Sequence, residues 1–156
     1  MRRKVKNRNI AGVDPRFDSL TLGKFINYVM WDGKKSTART VVYDMLEVLK
    51  EKTGNENPLE IFDTAIKNVS PQVEVRSRRV GGANYQVPYE IRTDRRTFLA
   101  MNWIIGAARN KKGKPMHLKL SDEILAAMKG EGEAMKKREN THKMAEANKA
   151  FAHMAW

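Results

Sequence analysis

The chain has 156 residues, 30 Lys+Arg against 18 Asp+Glu, a formal net charge of +12, 41% hydrophobic residues and no cysteine. That length suits one domain with a real core, and the absence of cysteine excludes disulfides, thiolate zinc sites and cysteine nucleophiles. No apolar run approaches the roughly 18 residues of a membrane span, and Met-Arg-Arg-Lys lacks a secretory signal's apolar stretch, so the expectation is a cytoplasmic protein whose excess charge meets a polyanion.

Residues 1–18 read as a basic arm. Arg2, Arg3, Lys4, Lys6 and Arg8 stand without an acid among the first ten residues, and no apolar periodicity is present, which predicts a segment that orders on a partner. Residues 19–156 read as a single helical domain. Leu22, Phe25, Ile26 and Val29 recur at helical spacing, and Asp32-Gly33 stops that helix before a loop carrying Lys34 and Lys35. Ser36 is the expected cap of a second helix with the stripe Val42, Met45, Leu46 and Leu49, ending at Gly54. Asn57-Pro58-Leu59-Glu60 predicts a third start, with Asn57 as cap, Pro58 at the first turn and Glu60 folding back. That helix ends at Ser70-Pro71.

The period then changes to two. Val73 and Val75 alternate with Glu74 and Arg76, and Tyr85, Val87, Tyr89 and Ile91 alternate with Gln86, Pro88 and Glu90, so a hairpin is expected at about 72–91 around Gly81-Gly82. A two-residue turn would pair Val75 with Pro88 and put the two apolar sets on opposite faces. The apolar pattern therefore predicts a loop of three or five residues with a bulge. Thr93 is the expected cap of a fourth, central helix using Phe98, Met101, Ile105 and Ala108, with Trp103 in the core. A basic loop follows with Lys111, Lys112 and Lys114. A fifth helix uses Leu118, Leu120, Ile124, Leu125 and Met128, with Asp122-Glu123 read as helix-start acids. Residues 133–153 are helical by propensity, with a thin stripe of Met144, Ala147, Phe151 and Met154, which implies projection into solvent or onto a partner.

Charge is segregated along the chain. Six acids against Lys50 and Lys52 occupy 43–64, whereas the arm, the stretch 76–96 with Arg76, Arg78, Arg79, Arg92, Arg95 and Arg96, and the later loop are basic. Catalysis has little support. Gly130-Glu131-Gly132 lacks a dinucleotide fingerprint, and His142 and His153 on one helix would lie about 16 Å apart, too far to share a metal. No cofactor, metal or enzymatic activity is expected. Binding has more support, because arginine forks near a glycine tip suit phosphate, and Asn84, Tyr85 and Gln86 add stacking and base-edge contacts. These residues alone leave three other readings: a DNA-bending protein with a basic ribbon, an RNA hydrolase using His142, and a message-binding repressor.

Three strings narrow the choice. Val73 to Pro88 (VEVRSRRVGGANYQVP), Asp32 to Ala38 (DGKKSTA) and Lys136 to Asn148 (KKRENTHKMAEAN) closely resemble the signature of bacterial small-subunit ribosomal protein seven. The resemblance implies a mainly α fold of six helices with a protruding two-stranded hairpin. It implies a structural constituent of the small ribosomal subunit, without membrane association or homo-oligomerisation. Such a protein would be a primary binder of the three-prime major domain of small-subunit ribosomal RNA, nucleating head assembly and contacting exit-site transfer RNA near the messenger's exit path. Ribosomal proteins nine and eleven would be neighbours. By the same resemblance, the arm cations, Lys34, Lys35, Arg76, Arg78, Arg79, Arg92, Arg95, Arg96, Lys111, Lys112 and Lys114 would meet ribosomal RNA. Gly81, Gly82, Ala83, Asn84, Tyr85, Arg138, His142 and Met144 would approach transfer RNA. Replacing Arg76, Arg78 and Arg79 by Ala should then abolish RNA binding with the melt nearly intact.

Overall fold

The computed structural model describes residues 11–154; the arm cations Arg2, Arg3, Lys4, Lys6 and Arg8, and Trp156, lie outside the described residues. The elements are α1 Leu20–Val29, α2 Lys35–Thr53, α3 Pro58–Val69, β1 Val73–Val80, β2 Ala83–Glu90, α4 Thr93–Asn110, α5 Met116–Met128, α6 Glu133–Ala147 and a 3-10 turn Lys149–Met154. The mainly helical fold with one antiparallel ribbon agrees with the expectation.

Helical spacing of apolar residues builds the core. Phe25 and Ile26 of α1, Met45 and Leu49 of α2, Phe62 of α3, Met101 and Ile104 of α4, and Leu120 and Ile124 of α5 are buried together. Each such side chain contributes roughly 1.5–3 kcal/mol by leaving water. Phe25 and Phe62 meet edge-on, with ring centroids 5.0 Å apart. The centre is shared: α5 packs on α2, α3, α4 and α6, and α4 packs on α1, α3, α5 and α6. Trp103 is half-buried against this core rather than inside it.

The helix ends follow local chemistry only in part. Ser19 Oγ accepts from the Leu22 amide at 3.3 Å, and Gly54 closes α2 in the left-handed region at φ 66°. The other caps differ from expectation. Ser36 lies inside α2, whose cap position is Lys34, and Thr93 is the first residue of α4, after Arg92. Asn57 occupies the cap position of α3, but its side chain donates to Glu60 Oε1 at 3.2 Å and caps no amide. The cap positions Lys34, Asn57 and Arg92 are exposed, so water can reach the first amides that a side chain would otherwise take, and Pro58, buried at the start of α3, has no amide hydrogen to satisfy. Helix α1 ends at Val29, earlier than expected, and Asp32 (φ 50°) and Gly33 (φ 72°) make the turn into α2.

The ribbon overturns the expected odd-length loop. Val80 pairs with Ala83 across a two-residue turn, and Val75 faces Pro88. Gly81 (φ 57°) and Gly82 (φ 88°) both take positive φ, as the mirror-type hairpin turns require. The reason is that this ribbon is not sorted into an apolar and a polar face. Residues opposite one another share a face, so Arg76 and Arg78 lie beside Val87 and Tyr85. The Arg76 guanidinium sits 5.5 Å from the Tyr89 ring centroid, so long stems and aromatic rings cover each other.

The C-terminal segment does not project. Helix α6 packs on α4 and β1, burying Ala134, Met135 and Ala145, while Met144 is 51% exposed. After Asn148 the chain narrows to the 3-10 turn, which lies on β2 with Phe151 5.2 Å from Tyr85. Residues 11–18, read from the sequence as the second part of the arm, fold back on the helices. Buried Asp14 accepts from the Arg16 and Phe17 amides at 3.1 Å and from Tyr43 Oη at 2.8 Å. Gly23 allows the approach, since a Cβ there would stand 2.2 Å from the Gly12 carbonyl oxygen. One buried carboxylate organises this turn, a feature that apolar periodicity does not register.

Candidate nucleic-acid interface

Helix α4 carries basic groups at both ends. Its 18 residues span about 27 Å, with Arg92, Arg95 and Arg96 at the start and Arg109 leading to Lys111 at the finish. The start adjoins the ribbon base. There Glu74, nearly buried, accepts from Arg76 Nε at 2.6 Å and from Arg95 Nε at 3.3 Å. Arg95 also stacks 5.0 Å from the Phe98 ring, and Arg96 Nε donates to the Ile91 carbonyl at 2.8 Å. Arg92 is exposed. A guanidinium has five donors, so these bonds orient the forks and leave further N–H groups for an incoming anion.

Farther along the ribbon, one Arg78 terminal nitrogen donates to the Met154 carbonyl at 2.9 Å and to Tyr89 Oη at 3.3 Å. Arg79 lies on the opposite face across from Asn84 and is exposed, as are Gly81, Gly82 and Ala83 at the tip. Tyr85 is half-buried against Phe151. The alternation thus separates Arg79 from Arg76 and Arg78, and Arg76 and Arg78 also serve the fold.

Arg138, His142 and Met144 are on α6, and the structure puts His142 at the ribbon base. Its Nε2 accepts the Gln72 amide at 3.1 Å. Gln72 and Gly81 are nine residues apart along an extended strand, about 30 Å, so the glycine tip and His142 do not form one compact site. Arg138, His142 and Lys143 line a surface concavity with Glu139 and Glu146. Burial, with Arg138 nearby, lowers the His142 pKa below the usual imidazole range. The neutral ring therefore supplies stability in full above that usual value, and loses it as pH falls through the lower folded value. Wild-type melts should lose stability in that window relative to His142→Gln, which has no titrating ring. Parallel pH profiles of the two melting temperatures would remove this role.

At the other end of α4, Lys34 and Lys35 are exposed beside the turn, and Arg109 ties that turn to the later loop. Its terminal nitrogen donates to the Val29 carbonyl at 3.3 Å, and its guanidinium lies 5.2 Å from the Trp31 ring centroid. In the later loop Lys112 is exposed, whereas Lys111 and Lys114 are paired. Lys114 Nζ is 3.1 Å from Asp122, which Lys52 also binds at 2.6 Å. The Lys52 hydrogen bond, then that of Lys114, holds the Asp122 carboxyl below the usual carboxylate range against opposing burial.

Lys111 Nζ sits 2.5 Å from Oε2 of Glu123, whose side chain is 1% exposed. Glu123 Oε1 accepts the Ala134 amide at 3.0 Å, capping the start of α6. The reading of Glu123 as a helix-start acid is therefore wrong, since it lies eight residues into α5 on the buried face. Its spacing was the missed signal, three after Leu120 and four before Ala127. Also unforeseen is Asn68, whose Nδ2 donates to the Ala127 and Met128 carbonyls at 3.1 and 3.0 Å and closes the end of α5.

Among the described residues, no group of three or more His, Cys, Asp or Glu could hold a metal, and no helix is long and apolar enough to cross a membrane. A helical body with guanidinium and ammonium groups set along a ribbon and at both ends of its long helix is the architecture of a nucleic-acid-binding protein. A family model described as ribosomal protein S7p/S5e matches residues 1–149. The chain is 54% identical to small ribosomal subunit protein uS7 of Pseudothermotoga lettingae over 155 residues, 99% of each chain. It is 58% identical to uS7 of Rhodopirellula baltica over 144 residues, 92% of each, and 56% identical to uS7 of Bordetella petrii over 155 residues, 99% of this chain and 98% of the relative. The chain belongs to the ribosomal protein S7p/S5e family, a non-enzymatic family whose members bind ribosomal RNA.

Proposed function

We propose that this chain, a structural constituent of the small ribosomal subunit in the bacterial cytoplasm, is the primary binder of the three-prime major domain of the subunit's RNA. By holding that RNA's helical junctions in one geometry, it nucleates assembly of the head. The observation that carries the reading is the placement of the basic groups: exposed Arg79 on the ribbon, Arg92 at one end of α4, and Lys34, Lys35 and Lys112 at the other. Points spread over tens of ångströms on one rigid body suit a folded RNA, whose deep major groove side chains cannot read and whose junction shape they can. The same reading gives the ribbon tip, Gly81 to Tyr85, and the α6 residues Arg138, His142 and Met144 to exit-site transfer RNA near the messenger's exit path. Ribosomal proteins nine and eleven are the adjacent proteins.

The test is a filter-binding titration of the full chain onto three-prime major-domain RNA, with duplex DNA as competitor. Retention of the RNA against equal DNA is expected, and equal competition overturns the reading. Removing residues 1–10 should lower the salt slope by up to about 4–5 if each arm cation meets a phosphate. An unchanged slope takes the arm out of the interface.

A further inference from the structure

We propose that Trp31 is a stacking platform for an unpaired RNA base, set between the Lys34-Lys35 turn and the Arg109–Lys114 loop. The proposal rests on the RNA-binding reading above and adds a site to it. Trp31 is 67% exposed, more than Val13, Leu20 or Met144, the other large apolar side chains left in water among the described residues. Nothing in the core requires an indole there, because α1 has already ended at Val29.

The ring is held rather than loose. The Arg109 guanidinium lies against it at 5.2 Å and is itself anchored on the Val29 carbonyl at 3.3 Å. The Trp31 carbonyl accepts the Lys34 amide at 3.0 Å, in a turn fixed by the positive φ of Asp32 and Gly33. Holding the side chain before binding reduces the entropy lost on contact. With a cation against the ring, its remaining exposed surface is free for a second π system. Any nucleobase offers such a face, and Lys34 and Lys35 stand where the base's flanking phosphates would need cations. An unpaired base is favoured over an apolar protein surface because the cations tied to the ring and its turn outnumber the acid beside it: Arg109 lies against the indole, Lys34 and Lys35 follow in the same turn, and Asp32 is the one acid in the stretch Trp31 to Lys35.

Stacking on an aromatic side chain is worth about 1–3 kcal/mol per base, or roughly 5- to 150-fold in affinity. The test compares wild type, Trp31→Phe and Trp31→Leu on the three-prime major-domain RNA, reading affinity, salt slope and tryptophan fluorescence. Trp31→Leu keeps an apolar side chain and removes the π face. It should weaken binding about 5- to 150-fold with the salt slope unchanged, since no charge is lost, and with an unchanged melt. Trp31→Phe should retain most of the affinity, and wild type should show RNA-induced quenching that Trp31→Phe lacks. If Trp31→Leu binds as wild type does, or if the quenching is the same without Trp31, the platform is refuted while RNA binding stands. If wild type does not bind the RNA, both readings fall.

Discussion

Replacing Lys111 with Met is expected to lower the melting temperature by about 4–12 °C, the equivalent of roughly 2–3 kcal/mol in a domain of this size. The loss comes from the partner left behind. Glu123 is sealed inside α5 with a 1% exposed side chain, and without the Lys111 ammonium at 2.5 Å its carboxylate keeps one hydrogen bond, from the Ala134 amide. Orphaning a buried charge costs about 3–5 kcal/mol, and the lower range applies here because the Lys111 side chain is 38% exposed and its contact is partly screened. Glu123→Gln keeps an acceptor for Ala134 and should cost less than Glu123→Ala, which removes the α6 cap and opens a void. Joining Lys111→Met to Glu123→Leu should recover part of the loss, since no charge is then buried alone. Circular dichroism melts at neutral pH measure all four. A Lys111→Met melt within about 1 °C of wild type would show that the ion pair contributes nothing and that capping alone justifies the buried acid.

That pair joins three segments: the basic loop through Lys111, α5 through Glu123, and the entry to α6 through Ala134. Gly132 completes it. At φ 100°, with a hypothetical Cβ only 2.9 Å from Glu123 Oε1, no other residue fits without displacing the carboxylate. The loop and α6 both carry residues of the proposed RNA interface, so one buried carboxylate fixes where two parts of that proposed interface stand.

The contrast between Glu123 and Phe62 shows what was legible in the amino-acid sequence. Phe62 falls on an apolar stripe with helical spacing, and that periodicity reports burial directly, so the helices and most of their buried faces could be read in advance. Glu123 occupies an equally buried position, but its type suggests solvent, and only its partners Lys111 and Ala134, distant in sequence or beyond a turn, make its burial tolerable. The ribbon failed for a related reason. Pairing Val75 with an apolar residue assumes one apolar face, whereas Arg76 over Tyr89 makes a mixed face as stable a cover. Arg76 and Arg78 illustrate the same limit within the proposed interface. Their charge was legible, but their bonds to Glu74 and to the Met154 carbonyl depend on folding. A triple Ala replacement of Arg76, Arg78 and Arg79 is therefore expected to lower the melt as well as RNA binding, because Glu74 loses one of its two cations and the 3-10 turn loses an anchor.

The structure offers a cleaner dissection of affinity. Among the described residues, Lys34, Lys35, Arg79 and Lys112 have no carboxylate within ion-pair distance, whereas Arg16 is bound to Glu47 at 3.2 Å and Lys52 to Asp122 at 2.6 Å. An unneutralised cation meeting a phosphate releases counterions, and each contact adds about 0.7–0.9 to the slope of log affinity against log salt. Gln at Lys34, Lys35, Arg79 and Lys112 together should lower that slope by about 3–4 units and weaken RNA binding by two or more orders of magnitude near 100 mM salt, while the melt stays within about 2 °C of wild type. Gln at Arg16 and Lys52 removes two charges whose fields an acid already cancels, so it should change the slope by less than about one unit. Titrations between 50 and 300 mM salt distinguish the two cases. Equal slope losses per charge in both variants would mean that net charge alone governs binding and that these positions have no special part in it. A slope loss confined to the first variant, with about 0.7–0.9 of it reproduced by Arg79→Gln alone, would place RNA phosphates at both the ribbon and the far end of α4, which one rigid body can reach together only if the RNA is folded to match it.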